Sequence, residues 1–290
     1  MEAEEVLAPQ FRPHHSALPE PGGWHAHLSL DFKWRLDFTD LRFAHAGPLR
    51  VQKPLYPDGR NCCHAVIVHP PGGIAGGDSL AIRVSVAENA HAVLTTPSAT
   101  KWYGSASGAL ARQDIDISVE GNLEWLPSET IVFDQACSRS EIAISAGDQA
   151  SMFGWDLLIF GRQGSGESFD CGRFEQTVRV DLSGQTVWVD RLLLKGSDPL
   201  FSAAIGLDGH HAAGTVWAIS PAHLPWMDEV LESIRANVPD IAWTCLHPRL
   251  LIGREVGCPI QMRHHLQQAW RFIKQTCWRL PANDLRLWAT

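Results

Sequence analysis

Hydrophobic and polar residues alternate with a period of two along most of this chain, which is the pattern of β-strands. The clearest example is residues 79–86, where four aliphatic residues fall on one side of the predicted strand. Two further stretches, residues 173–182 and 185–194, are separated by Ser183-Gly184 and predict a hairpin with a tight turn. The pattern predicts a mainly β protein built from short strands that stack or coil on one another.

Helical periodicity appears only late in the chain. Residues 227–237 and roughly 260–280 each place apolar side chains on one stripe, which predicts two amphipathic helices. A predicted pair of strands, residues 241–246 and 250–256, lies between them. We therefore expect a few α-helices, mostly toward the C-terminus.

The composition favours one globular domain. The chain has 290 residues, of which 45% are hydrophobic and 19% charged, and all-β domains of this length are common. Residues 1–22 contain four prolines and little periodicity, which predicts a loosely ordered lead-in. We expect residues 23–290 to form a single β-rich domain.

Charge and cysteine usage exclude several classes of partner. The formal net charge of −8 argues against nucleic acid, because phosphate contacts need clustered lysine and arginine. No apolar run approaches the roughly 18 residues of a membrane span, and the acidic residues after Met1 do not resemble a secretory signal. Seven scattered cysteines fit a reducing compartment, so we expect a cytoplasmic protein.

A glycine-rich loop at residues 70–78 follows a predicted strand. A phosphate-binding loop would close with lysine and serine or threonine and lead into a helix. This loop closes with Asp78 and leads into another strand, so a turn stiffened by proline and glycine is the better interpretation. The turn alone does not explain Asp78.

A series of longer motifs follows in a fixed order: Pro54-Leu55-Tyr56-Pro57, Cys63-His64, His69 to Asp78, Leu94 to Tyr103, Leu123 to Phe133, Gly161-Arg162 with Ser165-Gly166-Glu167, and Leu285 to Thr290. Together these motifs closely resemble the urease accessory proteins called UreD or UreH. The resemblance covers nearly the whole chain from about Trp24.

The resemblance implies one mainly β domain of stacked, helix-like coiled strands, and a maturation factor that is not an enzyme. Such a protein would bind apo-urease and UreF and, through UreF, the nickel-carrying GTPase UreG. Nickel would be in transit through an internal tunnel, with no permanently bound cofactor.

Two aspartates lie inside strongly apolar predicted strands, Asp156 and Asp190. An ionised carboxylate in such a place is costly unless it meets a cation, a hydrogen-bond donor or water. One interpretation is a structural salt bridge, for which Arg162 or Arg179 would serve Asp156. The other interpretation is a polar path through an apolar core.

The resemblance implies specific residues for that path. Asp78, Asp156 and Asp190 are the candidate ligands for nickel in transit, and Thr100 and Lys101 are candidates to line the tunnel. Oxygen ligands hold Ni²⁺ weakly, which suits passage better than storage.

Cysteine and histidine do not predict a tight metal site. Cys62 with His64, and Cys245 with His247, each share one face of a strand, but two ligands alone are a weak half-site. A core cysteine beside a partly exposed histidine is the favoured interpretation of both pairs. The adjacent histidines at 264–265 point in different directions on a helix and chelate poorly.

Two other functions stay open. A β-helical enzyme acting on carbohydrate would need a carboxylate pair in an open groove. A nickel-storage protein would bind the metal tightly and in fixed stoichiometry. Nucleophile motifs are unconvincing, since Arg162 stands where a serine-hydrolase elbow around Ser165 would need its first glycine.

Overall fold

The computed structural model describes residues 23–289, so the predicted lead-in over residues 1–22 lies outside the described residues. The strands are β1 (His25–Arg35), β2 (Phe38–Ala46), β3 (Arg50–Val51), β4 (Cys62–Val68), β5 (Ser79–Val86), β6 (His91–Thr95), β7 (Thr100–Trp102), β8 (Ala111–Val119), β9 (Asn122–Leu126), β10 (Thr130–Val132), β11 (Cys137–Ala146), β12 (Ser151–Phe160), β13 (Arg173–Leu182), β14 (Gln185–Lys195), β15 (Ala212–Ile219), β16 (Ala242–His247) and β17 (Leu250–Val256). The helices are α1 (Asp228–Asn237) and α2 (Pro259–Phe272).

The strands form two sheets. The first sheet has the order β14-β13-β11-β8-β5-β1-β2, and the second has the order β16-β17-β15-β12-β9-β6-β4-β3, with β10 and β7 attached through β12. From β4 to β13 the chain alternates between the sheets, apart from the short strands β7 and β10. Neighbours from this region pair in parallel, β5, β8, β11 and β13 in one sheet and β4, β6, β9 and β12 in the other. The mainly β class is confirmed, and the pairing is consistent with the predicted coil of strands.

Two hydrophobic cores share the second sheet. Its inner face packs against the first sheet, and its outer face is covered by α1, α2 and the C-terminal segment. Strand β12 is buried on both sides, with Phe160 in the inner core and Trp155 in the outer core beside Leu266 and Trp270 of α2. Successive side chains of a strand in this sheet therefore enter different environments, which decides the chemistry of its polar residues.

The predicted hairpin is confirmed. Strand β13 pairs antiparallel with β14 through a turn in which Ser183 and Gly184 both have positive φ, 50° and 82°. Two consecutive positive φ values are the geometry of a type I′ turn, whose twist matches that of the strands.

The two predicted helices are also found, but the second is shorter than expected. Helix α2 ends at Phe272 and continues only as a π-helical turn, Ile273–Cys277. The chain then leaves the helical conformation at Arg279, which has φ of 56°, and reaches Pro281. Among the described residues, no helix combines the length and the hydrophobicity needed to cross a bilayer.

Candidate functional site

A cavity of about 310 Å³ lies between the two sheets. We call it the central cavity. Its walls are largely apolar, with Trp102 and Trp125 from the second sheet facing Phe174 from the first. Its polar lining residues are His69, Thr96, Ser98, Thr100, Gln113, Thr130, Ser140, Asp156 and Gln176. An interior space of this size with polar groups on its walls can hold several water molecules, at about 30 Å³ each.

Asp156 and Gln176 form one wall of this cavity. Asp156 lies on β12 and is only 8% exposed, and Gln176 Nε2 donates a hydrogen bond of 2.5 Å to its Oδ2. Burial raises the pKa of Asp156 to about 6, and the hydrogen bonds from Gln176 and the Leu157 backbone only partly oppose it. The arginines predicted as partners bind elsewhere, Arg162 to Glu167 and Arg179 to Asp181. Asp156 is therefore a buried carboxylate held by neutral donors.

The same two residues also line a second cavity. This space of about 410 Å³, which we call the Asp190 cavity, lies beyond Asp156 and Gln176 among β13, β14, β15 and β17. Asp190 lines it and forms a salt bridge of 2.8 Å with Arg254, which is itself more than half exposed. The structure thus brings Asp156 and Asp190 to one cavity, with Asp156 in the wall between two cavities.

A third space of about 230 Å³ adjoins the central cavity on the helical side. The two share Pro97, Ser98, Ala99 and Pro127, and the third space extends to Arg263 of α2 and to Trp288. Arg263 forms an ion pair with Glu129 there. We call this the helix-side cavity, and it places polar groups beside the loops that border the central cavity.

Of the other predicted path residues, Thr100 shares the central cavity with Asp156, whereas Asp78 and Lys101 line none of the three cavities. Asp78 accepts hydrogen bonds of 2.8 Å from the backbone N–H groups of Trp24 and Ala75, so it fastens the glycine-rich loop to the start of β1. Thr100 lines the central cavity, as does Trp102 two residues on. Lys101 lies between them on the strand and so points to the opposite side.

A second group of polar residues lies on the outer face of the second sheet, under α2. Glu124 of β9 is fully buried and accepts three hydrogen bonds: from His91 Nε2 at 2.7 Å, from Trp270 Nε1 at 2.5 Å and from Lys274 Nζ at 3.1 Å. Lys274 Nζ also forms an ion pair of 2.9 Å with the other carboxylate oxygen, Oε1. Lys274 belongs to the π-helical turn after α2 and is 3% exposed. The group joins the helical layer to the sheet.

The pKa of Glu124 is shifted in the opposite direction from that of Asp156. Burial alone would raise the pKa of Glu124, but the hydrogen bond from His91 and the charges of His91 and Lys274 outweigh it. The pKa of Glu124 is lowered to about 2. The hydrogen bonds and the Lys274 ammonium therefore keep this carboxylate ionised in spite of its full burial.

Comparison with known proteins identifies the family of this chain. The sequence model of the family described as UreD urease accessory protein matches residues 25–289. The chain belongs to the UreD family. Two relatives named "Urease accessory protein UreD", from Cupriavidus metallidurans and Dechloromonas aromatica, are each 40% identical to it; the matches cover 95% and 97% of this chain and 98% of each relative.

Membership of the UreD family confirms the resemblance seen in the motifs. It also confirms that the role is that of an accessory protein and not of an enzyme, because the relatives carry that name. The protein acts in urease maturation. The role of individual residues in nickel transit stays a prediction. The residues concerned are Asp78, Asp156, Asp190, Thr100 and Lys101.

Sequence reasoning missed several residues of this UreD-family chain. Glu124 stands in an apolar run, the same signal that drew attention to Asp156, and this signal could have been used. Gln176 is a polar residue on the inward side of a strand that otherwise turns Phe174 and Val178 inward. Lys274 carries no local signal, because a lysine on a predicted amphipathic helix is expected to face solvent.

Proposed function

We propose that this protein is a cytoplasmic scaffold and chaperone that binds apo-urease and UreF and, through UreF, UreG. Nickel passes through its interior on the way to the urease active site. The observation that carries the proposal is the position of Asp156, a buried carboxylate in the wall between two cavities.

The chemistry of Asp156 suits a metal ion in transit. Its carboxylate has a neutral donor, Gln176, as its side-chain partner, so an arriving cation does not have to displace an arginine or lysine. A single oxygen ligand binds Ni²⁺ weakly compared with imidazole or thiolate, and weak binding permits release. Burial without a cationic partner raises the pKa of Asp156 to about 6, so its ionised form lacks compensation that an arriving cation would supply.

Polar side chains line the cavities on both sides of Asp156. Thr130, Ser140 and Gln113 line the central cavity, and the Asp190–Arg254 pair stands in the Asp190 cavity near solvent. A hydrated ion that reaches Asp156 from either side thus meets hydroxyl, amide or carboxylate oxygens. Hydrated ions avoid purely apolar walls, so these oxygens support the passage.

The test is urease activation in a strain that lacks this protein, complemented by variants. Asp156→Asn keeps the shape and the hydrogen bond from Gln176 but removes the charge, and we expect at least a severalfold loss of activation. Asp181→Asn is the matched control, because Asp181 lies on β13, lines neither cavity and pairs with Arg179.

Copurification of UreF and urease with each variant separates passage from assembly. We expect Asp156→Asn to recover both partners in wild-type amounts. Full activation by Asp156→Asn contradicts nickel passage at this residue, and loss of the partners from the wild-type chain contradicts the scaffold.

A further inference from the structure

The buried polar residues under α2 include side chains of three types that bind transition metals. Cys62 on β4, His91 on β6 and Glu124 on β9 present a thiol, an imidazole nitrogen and a carboxylate oxygen that all lie within 4.8 Å of one another. All three residues are buried. They come from three neighbouring parallel strands, so the sheet itself fixes their spacing.

A second set of ligands shares the same cysteine. Asp58 and His64 also bring ligand atoms within 4.8 Å of Cys62 and of each other, and His64 Nε2 lies 3.1 Å from Asp58 Oδ2. Cys62 therefore stands between two carboxylates and two imidazoles. The sequence spacing predicted only that His64 lies near Cys62. The pairing of β4, β6 and β9 brings His91 and Glu124 close to the same cysteine.

We propose that Cys62, His91 and Glu124 form a binding site for a divalent first-row transition-metal ion of the Zn²⁺, Co²⁺ or Ni²⁺ type. Thiolate and imidazole select these metals over Mg²⁺ and Ca²⁺, which prefer oxygen ligands alone. Ligand atoms of a tetrahedral ion at 2.0–2.3 Å lie about 3.5 Å apart, so small side-chain rotations complete the site.

Lys274 is the internal competitor for this site. Its ammonium lies 2.9 Å from Glu124 Oε1 and within 3.9 Å of Asp58. A metal ion that takes Glu124 must displace this ammonium, which is carried on a π-helical turn, a form of helix common at functional sites. Binding of metal and docking of the turn onto the sheet therefore compete for one carboxylate.

The site is independent of the passage proposed above. Cys62 packs in the outer core with α2, whereas the adjacent Cys63 packs in the inner core between the sheets. Asp156 faces the inner space, so the two sites lie on opposite faces of the second sheet. The two proposals therefore have separate tests. Absence of metal binding by the purified chain would not contradict the proposed passage, and normal urease activation by Asp156→Asn would not contradict the metal site.

The experiment titrates the metal-stripped, full-length chain with Co²⁺ and follows the near-ultraviolet charge-transfer band of a cobalt–thiolate bond. We expect a band that saturates at one equivalent and that Zn²⁺, whose filled d shell gives no such band, removes. Cys62→Ala, and Cys62→Ser of similar size, should abolish the band. Cys245→Ala should keep it, since Cys245 and His247 have the same spacing on an exposed strand.

Two further variants test the other roles. Glu124→Gln should weaken Co²⁺ binding, while Lys274→Gln, which keeps a donor for Glu124 but no charge, should strengthen it by about tenfold or more. Circular dichroism confirms that each variant is folded. A wild-type chain with no band at one equivalent, a band that survives in both Cys62 variants, or weaker binding by folded Lys274→Gln overturns the proposal.

Discussion

Replacement of Asp156 by asparagine should stabilise the protein at neutral pH. Burial raises the pKa of Asp156 from 3.8 to about 6, which means that the folded protein disfavours the charged form. One pH unit of pKa difference corresponds to about 1.4 kcal/mol, so ionised Asp156 lowers the free energy of unfolding by about 3 kcal/mol. Asparagine has the same shape and still accepts the hydrogen bond from Gln176.

The effect has a defined dependence on pH. The folded-state pKa is raised, so the contribution of Asp156 to stability is fully present below pH 3.8 and is lost as the pH rises through about 6. The advantage of Asp156→Asn over the wild type should therefore be small near pH 4, grow up to about pH 6 and stay constant above about pH 7.

Urea denaturation followed by tryptophan fluorescence measures this difference at a series of pH values. Asp190→Asn is the control, because Asp190 is partly exposed and paired with Arg254, and its loss should not stabilise the protein. Equal stability of Asp156→Asn and wild type at pH 8, or a difference that does not change between pH 4.5 and 8, would refute the reasoning.

Two further predictions concern residues away from the cavities. Lys274→Met should reduce the free energy of unfolding by about 3 kcal/mol, because it leaves Glu124 buried without its ammonium partner. Arg271→Met breaks an exposed ion pair and should cost less than about 1 kcal/mol in the same urea experiment. Asp78→Ala removes the acceptor for two backbone N–H groups, so it should cost about 1–3 kcal/mol and speed amide exchange at Trp24 in hydrogen-exchange measurements. Exchange unchanged at Trp24 would contradict the role given to Asp78.

Local patterns predicted the elements well because each pattern depends only on neighbouring residues. The alternation in residues 79–86 matches the buried side of β5, and Ser183-Gly184 has the backbone that a tight hairpin requires. The end of α2 was misjudged because the apolar stripe continues beyond Phe272, whereas the change to a π-helical turn depends on tertiary packing.

Partners distant in sequence could not be predicted in this way. Glu124 and Lys274 are 150 positions apart, and no sequence pattern near either residue predicts their contact. Asp156 and Asp190 had the same apolar surroundings in the sequence, yet one meets a glutamine and the other an arginine. Which of these outcomes occurs depends on the register of strands paired from different turns of the chain.

The second sheet buries two carboxylates whose energetics point to different roles. Glu124 is compensated by cations and its pKa falls to about 2, so the fold itself accounts for its presence. Asp156 has only neutral donors and its pKa rises to about 6, so it weakens the fold that holds it. No packing or hydrogen-bonding requirement needs that charge, since asparagine would meet both. The proposed passage of a cation through the wall between the two cavities would account for this charge, because the ion would supply the compensation that the fold does not.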